Sequence, residues 1–476
     1  MLSLEVLDFE GVYGNCSYGE SDFEVDTEGL AEVLGGLNVV AVPHLKCLNL
    51  KRLMVRDAAA NALISSLSSD EAPPLETVHL CISTLGMESK HGEALGNGSL
   101  PFIRTLDLRL IGGPAAVALM KALNEAPISP EWEDFSLTVG GDGEEGDANF
   151  YMLIDLEVCF RFGRLASLQW LQIKYTEVWG EDEYGYADGF LEVLTMVRLP
   201  VLSHFSAQRL GMDNTEFQWL GEAVWAGNFP QLRSLNLSDS VASRVGMEAL
   251  FNGVGSSEDG LPCLTSLDVS RATPGGGAEA IGEAILSGKM PAVTELKLAR
   301  CGFDNDAMRA LGEAVRGQQM SKLERLDLSR NRAFTKEGLD SFVLAVRESG
   351  KGLASLECLD LSDSHAGESI EPLAAAISAG GLQRLGSLRL DECGLDDEGM
   401  RQLGLAFGQN DMARLWCLSL KKNAVSEVGL SAFLEALRPQ SLPRLSCLWL
   451  AIPREQRQNT ILQAAKAEGK VPSLCL

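Results

Sequence analysis

Leu323-Glu-Arg-Leu326-Asp-Leu328 decides the fold, because its spacing returns along the whole chain. Leu356-Glu-Cys-Leu359-Asp-Leu361, Leu385-Gly-Ser-Leu388-Arg-Leu390, Leu415-Trp-Cys-Leu418-Ser-Leu420 and Leu445-Ser-Cys-Leu448-Trp-Leu450 copy it, with apolar residues three and five positions after the first leucine. Weaker copies begin at Leu4, Leu45, Leu75, Ile103, Trp132, Leu168, Leu202, Leu232, Leu264 and Val293, and a truncated one at Val471. These sixteen starts lie about 31 residues apart, with intervals from 26 to 41, and a period of that size is the mark of a repeat architecture. Apolar alternation within each motif gives a strand with one buried face. About 14 residues after the start comes a second signature: Gly246-Met247 with Leu250 and Val254, Gly277-Ala278 with Ile281 and Ile285, Gly399-Met400 with Leu403 and Phe407, Gly429-Leu430 with Phe433 and Leu437. Apolar residues three and then four apart make one helix face. Met247, Met308, Phe342 and Phe407 are therefore expected in the core.

Each unit reads strand, turn, helix, and it cannot bury its leucines until the next unit stacks on it. Strands pack about 4.8 Å apart and helices about 10 Å, so a stack of such units curves, strands inside. In this the chain resembles leucine-rich repeat proteins of the ribonuclease-inhibitor-like type, and is similar to the repeat arrays of Ran GTPase-activating proteins and of innate-immune receptors. The resemblance implies an α/β solenoid, a horseshoe of about 16 strands with a parallel β-sheet on its concave face and helices on its convex face. It covers residues 1–476 as a single solenoid, and both ends stop on a strand motif without a polar cap. Such ends are expected of a piece of a longer protein, or of ends covered by another chain. Family members place Asn or Cys in the turn after the strand. Cys301, Asn331, Cys393 and Asn423 fill that place here, whereas Leu53, Ile111, Ser240, Ala272, Ser364 and Pro453 depart from it, which predicts an irregular N-terminal half.

With 40 Lys and Arg against 66 Asp and Glu, the net charge is −26. That field repels nucleic-acid phosphates and anionic membranes and attracts a basic protein. No run of about 18 apolar residues is present to span a membrane, and the acidic first residues do not make a signal peptide. Eleven scattered cysteines without CxxC fit reduced thiols, so the expected compartment is the cytoplasm, with the nucleus as the alternative. Enzyme signatures fail. The formal Gly141-Asp-Gly143-Glu-Glu-Gly146 would set three acids where pyrophosphate must sit, and His44, His79, His91, His204 and His365 lack metal-ligand spacing, reading instead as surface histidines. No cofactor, metal or catalytic residue is expected.

Residues two, four, six and seven after each motif start should line the exposed face of the sheet. Twelve acids and thirteen bases occupy those columns, so the face is nearly neutral. Within it, Trp170, Lys174, His204, Arg209, Arg271, Arg300, Arg330 and Trp449 are the candidate partner-binding residues, with Asp268, Lys297 and Asp327 as a lateral row of alternating sign. The acidity lies elsewhere: residues 1–44 and 131–190 together carry −20. Acidic insertions near 11–26, 139–149 and 175–188 leave the repeats just after their strands. In the third, Tyr175, Trp179, Glu181, Asp182, Glu183, Tyr184 and Tyr186 form a second candidate surface, because aromatics enriched at interfaces stand among charges that steer a basic partner. The sequence thus predicts a non-enzymatic module that binds a protein through the concave sheet and an acidic aromatic rim. Its alternatives are a GTPase-activating regulator of a small GTPase and a stoichiometric inhibitor of a basic enzyme.

Overall fold

A computed structural model describes residues 4–8, 27–84, 86–110, 114–126, 129–139, 156–175, 191–272, 276–350, 353–410, 412–450 and 460–474. Fifteen of the sixteen motif starts open on strands; at the sixteenth, Val471–Leu474 form a turn. The chain divides into two units, Met1–Gly211 with Asn228–Leu232, and Met212–Gly227 with Arg233–Leu476. In the first unit, β1 (Val6–Asp8), β2 (Cys47–Val55), β3 (Thr77–Ser83), β4 (Ile103–Leu110), β5 (Asp134–Val139), β6 (Trp170–Tyr175) and β7 (His204–Ser206) pair in chain order, all parallel. In the second, the order is β8 (Ser234–Asn236), β9 (Ser266–Asp268), β10 (Glu295–Lys297), β11 (Arg325–Asp327), β12 (Cys358–Asp360), β13 (Ser387–Arg389), β14 (Cys417–Leu420) and β15 (Cys447–Leu450), again parallel throughout. The register is in phase: Leu296, Leu326, Leu359, Leu388, Leu418 and Leu448 stand side by side. Both register shifts among the described pairs, after Asn49 and after Val78, fall in the first unit, where the repeat turns lack their Asn or Cys.

Helices follow the strands on the buried side, among them Asn214–Trp225, Arg244–Ser256, Glu279–Leu286, Asn305–Arg316, Lys336–Ser349, Ile370–Ser378, Asp397–Gln409 and Glu427–Ala436. Leucines of the strand motif and the apolar helix face close on each other: Leu326, Leu328, Met308, Phe342, Met247 and Phe407 are all buried. The fold is an α/β leucine-rich repeat solenoid.

The turn position behaves as a side-chain splice between repeats. Asn331, 1% exposed, donates Nδ2 to the carbonyls of Leu298 (2.8 Å) and Leu328 (2.9 Å), and its Oδ1 accepts from the amides of Cys301 (2.9 Å) and Phe303 (3.1 Å). Asn423 does the same three repeats further on, for Cys393 and Leu395. Where serine stands instead, its hydroxyl takes over part of the work: Ser240 donates to Leu237 O at 2.7 Å and Ser364 to Leu361 O at 2.5 Å. The helix-opening glycine has its own cause. Asn305, the first residue of one helix, uses Oδ1 to accept from the amides of Thr335 (2.8 Å) and Gly338 (3.2 Å) of the next repeat. A Cβ on Gly338 would lie 2.5 Å from that oxygen, and Gly246 and Gly429 meet Asn214 and Asp397 in the same way.

Two sequence expectations are corrected. His91 is buried, not at the surface. Its Nδ1 lies 2.7 Å from Asn61 Oδ1, which can only accept, so Nδ1 carries the proton and Nε2 accepts from Ser65 Oγ at 2.7 Å. Lys297 does stand between Asp268 and Asp327 in register, but its ammonium pairs with Glu295 at 3.6 Å. The two aspartates are turned onto their own backbones, accepting from Ser270 N (3.0 Å) and Ser329 N (2.9 Å), so the alternating row does not close.

Candidate functional site

Beyond each strand the chain turns on a residue in the left-handed region. In eight consecutive repeats that residue is charged: Arg209, Asp239, Arg271, Arg300, Arg330, Asp363, Glu392 and Lys422 have φ between 55° and 61°. Left-handed backbone costs a non-glycine residue roughly 1 kcal/mol. Glycine would avoid that cost and is absent, so a side chain is presented at the edge of the sheet in each of these eight repeats. Ladder bonds hold the residues in line, with Arg300 N donating to Ser329 O (2.9 Å), Arg330 N to Ser362 O (2.7 Å) and Asp363 N to Asp391 O (2.7 Å).

Above β11–β15 this line borders an open cleft of about 710 Å³ in the second unit. Small residues, Ser329, Ser362, Cys417 and Ser419, give it depth. Arg300, Arg330, Arg332, Arg389, Lys421 and Trp449 stand around them. Four carboxylates also line it, and each is occupied. Asp360 accepts from Ser362 N at 2.9 Å and faces Arg389 Nη1 at 3.6 Å. Asp363 takes Arg332 Nε at 2.6 Å; Asp391 takes Ser419 Oγ and Lys421 N, both at 2.6 Å; Glu392 takes Lys422 Nζ at 2.6 Å. Burial pushes the Asp360 carboxyl above its ordinary range, against the pull of its Ser362 hydrogen bonds. Among the described residues, Arg300 and Arg330 make no ion pair, and Lys421 sets its ammonium 4.5 Å from the ring centre of Trp449.

The candidate residues from the sequence fall into two groups. In the first unit, register puts Trp170 beside His204, and their rings stack at 4.4 Å with planes 21° apart. His204 Nδ1 also meets Ser203 Oγ at 2.7 Å, which fixes the histidine of the stack while Trp170 stays 39% exposed. Lys174 is half-buried on the same strand, and Arg209 is exposed at its turn. In the second unit Arg300, Arg330 and Trp449 share the cleft, whereas Arg271 lies outside its lining and pairs with Asp239 at 3.1 Å. Tyr175 closes β6; Trp179, Glu181, Asp182, Glu183, Tyr184 and Tyr186 lie outside the described residues, as do most of the insertions at 11–26, 139–149 and 175–188. Sequence reasoning placed Arg389 and Lys421 in the right columns without singling them out, and missed Arg332, which sits beyond the alternation of the strand.

One polar chain brings a hydroxyl, a histidine and a carboxylate together in the first unit. His79 Nδ1 lies 2.8 Å from Thr105 Oγ1, which lies 3.2 Å from Asp134 Oδ2, itself paired with Lys51 Nζ at 3.2 Å. Since the carboxylate can only accept, the hydroxyl donates to it and the histidine donates to the hydroxyl. A nucleophile needs the reverse order, with histidine taking the proton. This chain is a cross-strand brace.

Fold and repeat turn together define a leucine-rich repeat protein. A leucine-rich repeat family model matches residues 319–343, which run from the turn before β11 into the helix Lys336–Ser349. No curated protein matches the chain. Among solved structures, the crystal structure of a TLR13–ssRNA13 complex is similar at 18% identity and a TM-score of 0.38, over 87% of this chain and 58% of that one. The chain thus spans less than two thirds of that relative's length. Among the described residues no helix is long and apolar enough to cross a membrane, and no group of three or more His, Cys, Asp or Glu is placed to hold a metal ion.

Proposed function

We propose that this chain is a non-enzymatic protein-binding module of the ribonuclease-inhibitor-like kind, which docks a protein partner on the strand-exposed face. One observation carries the reading: Arg300 and Arg330 project over the cleft of the second unit without an ion pair among the described residues, and Trp449 lines the far end of the same cleft. Exposed arginine and tryptophan are the side chains that dominate protein interfaces, and small serines between them leave room for another chain. Trp170 with His204 is a second contact on the first unit. The aromatic and acidic segment Tyr175–Tyr186 is proposed as a third, on its composition alone.

The test is retention of proteins on the immobilised full chain, wild type against Trp449→Ala. A partner held by the wild type and lost from the variant is the expected result. Acceleration of GTP hydrolysis by catalytic amounts of the chain, across a panel of small GTPases, would overturn it.

A further inference from the structure

We propose that the cleft of the second unit is a receptor for an acidic peptide segment, in which Arg300 and Arg330 clamp one carboxylate and Lys421 meets a second. This rests on the protein-binding reading and gives it a partner chemistry.

Charge accounting comes first. Five cations and four carboxylates line the cleft, and every carboxylate already has its donor. The lining has one cation in excess: Arg300, Arg330 and Lys421 lack an ion pair among the described residues, against the single carboxylate Asp391, whose donors are the neutral Ser419 hydroxyl and Lys421 amide. On a chain whose net charge is −26, a cleft with a cation in excess and unpaired arginines at one end is a local exception, and an anion is the ligand that this end favours.

Spacing narrows the anion. Arg300 and Arg330 hold the same turn position in adjacent repeats, so their backbones stand about 4.8 Å apart. Two planar guanidiniums at that separation straddle one carboxylate, each with a fork of donors. Lys421 follows three strands later, after β12, β13 and β14, roughly 14 Å from Arg330. Extended chain covers that distance in about four residues. Between the two cationic points lie Asp363 and Glu392, at the two intervening turns. Both are paired, with Arg332 and Lys422, so a backbone with a charge on every unit, such as a nucleic acid, finds no free cation there. A peptide with neutral residues between its acids instead presents amide N–H groups to those carboxylates. Trp449, 42% exposed at the Lys421 end, offers a flat face to a neighbouring apolar side chain.

Fluorescence anisotropy on the full chain tests this with three probes: a labelled peptide with two glutamates separated by a short glycine-serine spacer of matching length, its glutamine counterpart, and a labelled oligouridylate. The glutamate peptide should bind at least about tenfold more tightly than the glutamine one, the worth of one charge-assisted contact. Arg300→Gly/Arg330→Gly should weaken it by a further factor of about ten or more. Glycine suits the test because both positions have left-handed φ, 55° and 60°, so the substitution removes the guanidinium without new backbone strain. Should that variant melt early, Arg300→Gln/Arg330→Gln replaces it. Equal affinity for both peptides, equal affinity of wild type and variant, or tighter binding of the oligouridylate at the same residues overturns the inference. If the peptide fails while Trp449-dependent capture of a protein persists, the carboxylate assignment falls alone; if both fail, the protein-binding reading falls with it.

Discussion

Single residues in this molecule are set by what the neighbouring repeat lacks. Cys301 and Cys393 donate their thiols to carbonyls of the preceding repeat, Val269 O at 2.8 Å and Leu361 O at 3.2 Å. Burial pushes both thiols up to about 12, so the nucleophilic thiolate is scarce at ordinary pH. At pH about 8, iodoacetamide should leave both unmodified in the folded chain and label them only in denaturant. Peptide mass spectrometry reads this directly, and labelling of Cys301 at the rate of the less buried Cys263 would contradict it. His91 makes the opposite kind of statement. Burial, then nearby Lys90, lowers its pKa below 6.5, and its Nδ1–H and Nε2 already have an acceptor and a donor. The folded state therefore binds a proton less readily than the unfolded chain. Its contribution is present above pH 6.5 and lost as pH falls below it. Melting curves at pH 7 and 5 should show a loss on acidification that is smaller in His91→Gln than in the wild type. An unchanged pH dependence in the variant would exclude the assignment.

At the level of the element, the strand and helix are secured at their ends rather than along their lengths. Most strands of the second unit are three residues long. Asn331 does for β10 and β11 what a longer ladder would otherwise do. Asn331→Ala leaves two amides and two carbonyls without partners, at a cost on the order of 3 kcal/mol. Urea unfolding with an unchanged slope measures it; a loss under about 1 kcal/mol means that water replaces the side chain. Gly338→Ala should cost about 1 to 3 kcal/mol by pushing Asn305 off the helix start. Much of the repeat was legible in sequence because leucine spacing, helix period and the opening glycine are all local. The reason for the glycine was not, since the Asn305 oxygen that forbids a Cβ at Gly338 belongs to the previous repeat. The same blindness applied to the Asp268–Lys297–Asp327 row. Register put the charges side by side, but whether an aspartate spends its oxygens on its own turn depends on rotamers, which spacing does not encode.

On the scale of the whole chain, position on the sheet face was legible and ion pairing was not. Columns read from the alternation placed Arg300, Arg330 and Trp449 on one face; only geometry separates them from Arg271, which Asp239 neutralises. The charge of −26 bears on this balance. Ion pairs such as Lys46–Glu76 at 2.9 Å and Arg309–Asp306 at 2.5 Å act at contact range and at exposed positions, each worth little. Repulsion among the excess carboxylates acts over longer distances. Raising salt shortens the screening length from about 10 Å at 0.1 M to about 3 Å at 1 M, which removes the long-range repulsion before the contact pairs. Stability should therefore rise with sodium chloride over that range, by roughly 1 kcal/mol as read from the urea midpoint. Affinity of the cleft for the glutamate peptide should fall over the same range, because there the charges attract. Folding and binding that respond to salt in opposite directions would separate the repulsive bulk field from the attractive local one. A parallel fall in both would mean that the exposed pairs, not the net charge, govern the stability of the solenoid.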